Sequence, residues 1–129
     1  MLQSEPLEKR RFHRVSVDCD VVLVINDHSY QGSLVDVSLK GLMIVFDKAW
    51  SFGIGANAIV QLISADLDDQ KITMHVELVR INGRHMACEC ISVDFKSAKR
   101  LKQLMALKHS DPELLNREFS TLIDHFDIN

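Results

Sequence analysis

The residues best equipped for chemistry in this sequence fall in two short runs. The first, Lys9-Arg10-Arg11-Phe12-His13-Arg14, concentrates cations near the amino terminus, and the second, Asp36-Val37-Ser38-Leu39-Lys40-Gly41, combines a carboxylate, a hydroxyl and a glycine within six positions. Each arginine offers five N–H donors in a planar fork, a shape that matches phosphate oxygens and the O6/N7 edge of guanine. Asp36 only accepts, which suits the N–H groups on the Watson–Crick edge of guanine or an arginine held in place. Ser38 can donate to a phosphate or accept from a base. Gly41 fits a turn that needs positive φ or a close backbone approach to a ligand. Taken singly, each run has a plainer reading: a basic run beside a terminus is often a solvated tail, and an Asp-x-Ser turn often caps its own backbone. Their occurrence together, in this order, favours a guanine-nucleotide phosphate clamp.

The spacing Arg10-x-x-x-Arg14 followed by Asp36-x-Ser38-x-x-Gly41 is similar to the paired signature of the PilZ family, bacterial receptors for the second messenger cyclic di-GMP. The resemblance implies a ligand site made of Lys9, Arg10, Arg11, Arg14, Asp36, Ser38 and Gly41, with no catalytic residue, no metal and no cofactor beyond the ligand. It also implies a receptor or adaptor that changes conformation on binding and signals to an unidentified downstream protein. In that family the residue before the first motif arginine influences whether one cyclic di-GMP or an intercalated pair is bound. Here that residue is Lys9, and with the further charge of Arg11 it implies the paired, four-phosphate ligand. Phe12 is expected to bury against the barrel mouth, and Arg80, near the same rim, to be a solvated strand-end arginine rather than an extra contact.

These groups need a rigid frame, and the pattern of the chain describes one. Residues 1–8 read as a flexible lead-in, and 9–129 as a single domain with a barrel over about 15–93 and helices over about 96–127. From Val15 the sequence alternates, with Val15, Val17, Cys19, Val21, Leu23 and Ile25 on one side, as in a long half-buried strand. Asn26-Asp27-His28 is a turn, Tyr30 to Val37 a second strand, Leu42 to Phe46 a short third, and Ala56 to Ile63 a fourth after an irregular Asp47 to Gly55 connection. An acidic turn at Asp66, Asp68 and Asp69 precedes a fifth strand, in which Ile72, Met74, Val76 and Leu78 alternate with polar residues. Asn82-Gly83 is the strongest hairpin signal, read as a type I′ turn in which both central residues need positive φ, leading into a sixth strand from Arg84 to Val93. Six strands joined mostly by short turns favour a mainly β fold, a six-stranded antiparallel β-barrel. Ala98, Leu101, Leu104, Met105 and Lys108 then fall at helical spacing. Asp111-Pro112 starts a second helix whose apolar stripe is Leu115, Phe119, Leu122 and Phe126.

Composition narrows the function. At 129 residues, 47% hydrophobic and 26% charged, the chain suits one compact domain with its own core, and a net charge of -3 makes the basic cluster a local feature. The longest unbroken apolar run, Val21 to Ile25, is too short to cross a bilayer and the amino terminus is polar, so no membrane insertion and a cytoplasmic location are expected. Three cysteines make no disulfide framework, and reduced thiols fit that compartment. Three other classes compete with the receptor reading. His75, His85, Cys88 and Cys90 would have to converge for a metal site, yet Cys88 and Cys90 lack C-x-x-C knuckle spacing and suit the core. The six histidines show no nucleophile-base pairing, and phosphate-binding glycine fingerprints are absent, so an enzyme is not expected. A small barrel binding single-stranded nucleic acid is the alternative function, but it would need aromatics interleaved with cations across a broad face, and only 6% of residues are aromatic.

Overall fold

The computed structural model describes residues 14–50, 53–64 and 71–107, together with residues 113, 116, 117, 119 and 120. Lys9, Arg10, Arg11, Phe12, the acidic Asp66 to Asp69 turn, the Asp111-Pro112 cap and the stripe positions Leu115, Leu122 and Phe126 lie outside the described residues.

Six strands form a closed antiparallel barrel: β1 (Asp20–Ile25), β2 (His28–Ser38), β3 (Gly41–Val45), β4 (Asn57–Ile63), β5 (Lys71–Asn82) and β6 (His85–Val93). Their order around the barrel is β1-β2-β3-β6-β5-β4, and β1 pairing with β4 closes the ring, leaving no open edge along that circuit. Period-two alternation fills the interior. Leu23, Leu42, Ile44, Val60, Leu62, Ile72, Met74, Leu78 and Met86 are all fully buried, and they form one continuous cluster. Near the β5–β6 turn, Trp50 packs edge-on against Tyr30 and Phe46, with ring centroids 4.6 and 4.7 Å apart. The backbone of the irregular connection is tied there too, Phe46 N–H donating to the Arg84 carbonyl at 2.9 Å and Trp50 N–H to the Gly83 carbonyl at 3.2 Å.

After β6 comes α1 (Phe95–Ala106). Asp94 caps it by accepting from Ser97 N–H at 2.6 Å, the arrangement that satisfies an otherwise orphaned donor of the first turn. Its apolar face, Ala98, Leu101, Leu104 and Met105, is buried. Two polar ties fix it to β5: the Ser97 hydroxyl accepts from Thr73 N–H at 3.0 Å, and Arg100 donates to the Lys71 carbonyl at 3.1 Å. Residues 113, 116, 117, 119 and 120 are helical, and Phe119 is buried.

Three details depart from the expectations above. The long first strand is divided: Val15, Val17 and Cys19 keep their buried side, but only Asp20–Ile25 is laddered. Ahead of it, Val15 bridges Val37 and Cys19 carbonyl accepts from Leu34 N–H. The ladder breaks because β2 carries an irregularity between Leu34 and Asp36, where Val35 is the extra residue. The type I′ pattern belongs to the first hairpin, in which Asn26 and Asp27 have φ of 53° and 67°. In the last hairpin Asn82 pairs with His85, so the central residues are Gly83 and Arg84, and only Gly83 has positive φ. That is the pattern of a Gly-X turn of type II′.

Candidate ligand-binding site

Arg14, the last residue of the first run, meets the second run on the outer surface of the barrel. Backbone pairing brings them together: Val15 and Val37 exchange two hydrogen bonds, Val15 N–H to Val37 carbonyl at 2.8 Å and Val37 N–H to Val15 carbonyl at 2.9 Å. Both side chains of this bridge point into the core, at 8% and 0% exposure, so the residues just before them face outward. Arg14 and Asp36 are those outward neighbours, and Arg14 Nη1 donates to Asp36 Oδ1 at 2.5 Å. The bulge at Val35 makes this geometry. Strict alternation from the buried Leu34 would turn Asp36 into the core; the extra residue resets the pattern so that Asp36 lies outward and Val37 inward. The pair is half exposed on the arginine side and three-quarters covered on the aspartate side, and one contact leaves Arg14 with further N–H donors.

Ser38 and Gly41 occupy the adjoining turn, and here the structural reasons are explicit. Ser38 is buried; its hydroxyl donates to the Gly41 carbonyl at 3.4 Å and accepts from Lys40 N–H at 3.2 Å. In this arrangement the hydroxyl caps its own turn, which is the plainer of the two readings open to it. Gly41 does not have positive φ. Its lack of a side chain serves strand packing: a Cβ at this position would lie 2.6 Å from the Cys88 carbonyl oxygen of β6. Beside it, Cys90 N–H donates to the Lys40 carbonyl at 2.8 Å, drawing the turn against β6. Lys9, Arg10 and Arg11, the other cations named for the site, lie outside the described residues.

Beyond Asp36 the outer surface continues across β3, β6 and β5. Asp36 is paired with Met43, Met43 with Ala87 and Ala87 with Arg80, a row of four residues on four strands. Below it Glu89 and Glu77 are paired directly opposite each other. Like charges so placed repel, and they disfavour an anion on that part of the surface.

The histidines and cysteines weighed as a competing metal group do not converge among the described residues. His75 and His85 are exposed, whereas Cys88 and Cys90 are buried in the barrel. Burial pushes the Cys88 and Cys90 thiols up to about 12 and that of Cys19 up to about 11, keeping all three protonated.

Comparison with known proteins places this geometry in context. The family model described as PilZ domain matches residues 8–107. Among solved structures, the chain is similar to the PilZ domain of YcgR from Escherichia coli, a structure with c-di-GMP, at 14% identity and a TM-score of 0.67 over 90% of this chain and 98% of that one. It is also similar to the inhibitor of motility MotI/DgrA of Bacillus subtilis, at 17% identity and a TM-score of 0.67, covering 77% of this chain and 50% of the other. The chain therefore spans about half the length of that inhibitor. A third likeness is to the PilZ domain of CeSA from a cellulose-synthesizing bacterium, at 14% identity and a TM-score of 0.59 over 75% of this chain and 99% of that one. At these identities the structural likenesses establish the barrel.

Proposed function

This chain belongs to the PilZ domain family, and from that premise we propose that it is a receptor for cyclic di-GMP, acting as a regulatory adaptor rather than an enzyme. The observation that carries the reading is the Arg14–Asp36 contact on the outside of the barrel, made by a backbone bridge between the two motif segments. The site so formed has a cationic side and a carboxylate side. Phosphates belong with Arg14 and with Arg10 and Arg11, whose reach from Arg14 is short; a guanine edge belongs with Asp36, which accepts from its N–H groups. The facing Glu77 and Glu89 support this polarity by confining the ligand's negative charge to the amino-terminal side.

The switch follows from competition. Without ligand, Arg14 spends a donor on Asp36; a cyclic dinucleotide brings two phosphates that draw the arginines together and a base that engages the carboxylate. Residues 9–13 then take a fixed path over the ligand, and the altered surface is what a downstream protein reads. With Lys9 and Arg11 adding charge, the ligand is an intercalated pair. No helix among the described residues is long and apolar enough to cross a membrane, and cytoplasmic action is part of the proposal. Isothermal titration calorimetry with cyclic di-GMP, with GTP as control, tests the reading. Saturable binding of the cyclic dinucleotide, at two ligands per chain and much tighter than GTP, is expected. Equal affinity for both, or no heat from either, overturns the receptor assignment, and one ligand per chain overturns the paired form.

A further inference from the structure

We propose that the outward face of α1 is a docking surface for an acidic amphipathic segment of a partner protein, with Lys99 and Lys102 receiving its carboxylates. The surface shares no residue with the Arg14–Asp36 site, and the inference holds whether or not the chain binds a nucleotide. Its first basis is charge. Between Phe95 and Ala106 the helix carries Lys96, Lys99, Arg100 and Lys102 and no aspartate or glutamate, in a chain whose net charge is -3. Arg100 is tied to the Lys71 carbonyl, but Lys96, Lys99 and Lys102 have no carboxylate partner among the described residues. The helix's own electrostatics oppose this arrangement. Lys96 stands in the first turn, where the dipole is positive, and Lys96–Lys99, Lys96–Arg100 and Lys99–Lys102 are like-charge neighbours three or four residues apart. An anionic partner relieves that repulsion.

The second basis is shape. Lys99, Lys102, Gln103 and Ala106 recur at i, i+3, i+4 and i+7 on the side of α1 away from its buried residues, and with Phe119 they line an open cleft of about 180 Å³. Aromatic rings position both lysines there: the Lys99 ammonium lies 5.4 Å from the centroid of Phe95, and that of Lys102 lies 4.9 Å from the centroid of Phe119. Small-molecule sites run to roughly 300–1,000 Å³, so a cleft of this size suits side chains of a docked segment better than a free metabolite. The exposed apolar residues Phe95 and Leu107 end the face, about 18 Å apart along the helix axis. An amphipathic segment with acidic residues at its centre and apolar ones at its ends matches this order. A bilayer fits it less well, because Phe119 is buried and Ala106 is short, which recesses the apolar centre from a flat surface. Single-stranded nucleic acid would need the Phe119 ring open for stacking.

The test uses fluorescence anisotropy of a labelled synthetic helical peptide, glutamates at its centre and leucines at both ends, titrated with the full chain. The wild type is expected to bind it saturably, and the double variant Lys99→Gln, Lys102→Gln at least about tenfold more weakly. Lys48→Gln, which removes an exposed cation elsewhere, is expected to bind as the wild type does, and so keeps the result from reporting net charge alone. Thermal unfolding of each variant checks folding, and amide shift mapping of the wild type with the peptide, independent of any variant, should centre on Lys99 to Ala106. Absence of wild-type binding, full affinity in the double variant, an equal loss in Lys48→Gln, or shifts centred away from α1 each overturn the inference. Equal binding of a peptide with glutamine in place of glutamate overturns it as well. Tighter binding of phosphatidylglycerol vesicles or of an RNA oligomer, lost in the double variant, overturns the choice of a protein partner.

Discussion

Replacing Asp36 by alanine separates the two roles an aspartate in this position can play. As a structural element it contributes one ion pair, with Arg14 52% and Asp36 26% exposed. Pairs this open to solvent contribute about 1 kcal/mol or less, because water screens them and both side chains lose rotamer freedom. The unfolding midpoint of Asp36→Ala should therefore fall by only a few degrees. As a ligand acceptor, the same carboxylate takes charge-assisted hydrogen bonds from a guanine edge. Each such bond is worth about 1.5–3 kcal/mol, so the loss in affinity for cyclic di-GMP should be at least about tenfold. Urea unfolding of the unliganded protein and calorimetry of the complex measure the two effects on the same samples. A stability loss of several kcal/mol with intact affinity would refute the reasoning, because Asp36 would then be a folding residue that happens to lie near an arginine.

Further outcomes follow from other residues. Arg14→Ala should weaken cyclic di-GMP binding at least about tenfold by calorimetry, and unchanged affinity would remove Arg14 from the site. Gly41→Ala should destabilise the unliganded barrel by about 1–3 kcal/mol in urea unfolding, since the new Cβ meets the Cys88 carbonyl at 2.6 Å; full stability would show that the strands yield there without cost. The three thiols should resist a disulfide reagent at pH 8 until the protein unfolds. Their folded pKa values, about 11 for Cys19 and about 12 for Cys88 and Cys90, lie above the ordinary 9.0, so the unfolded chain gives up these protons first. Their contribution to stability is therefore complete below about pH 9 and is lost as pH rises towards 12, which a series of unfolding curves across that range would reveal.

Much of the frame was legible because it rests on local rules. Alternation at Ile72 to Leu78 and at Val21 to Ile25 marked buried strand faces, and the spacing of Ala98, Leu101, Leu104 and Met105 marked the helix face. The sequence also pointed to Arg14 and Asp36, which the fold brings into contact through the Val15–Val37 bridge. What escaped were features fixed by strand register. A bulge has no side-chain signature of its own, so the extra residues Val35 and Val79 passed for ordinary strand positions. One clue was present in retrospect: an arginine and an aspartate at positions that strict alternation assigns to the core imply that alternation breaks just before them. The requirement for Gly41 was invisible for a related reason. It comes from the Cys88 carbonyl on a strand distant in sequence rather than from the turn's own dihedrals. In the last hairpin Asn82-Gly83 marked the right place, but pairing of Asn82 with His85 moved the turn's centre by one residue.

The most direct test of the account is amide chemical-shift mapping of the labelled protein during titration with cyclic di-GMP. The largest changes should fall on Arg14 and Val15 and on Asp36 to Gly41, with little effect on the inward side of α1 around Leu101 and Leu104. Changes clustered elsewhere on the barrel, with Arg14 and Asp36 undisturbed at saturation, would contradict the claim that the meeting of these two segments forms the ligand site.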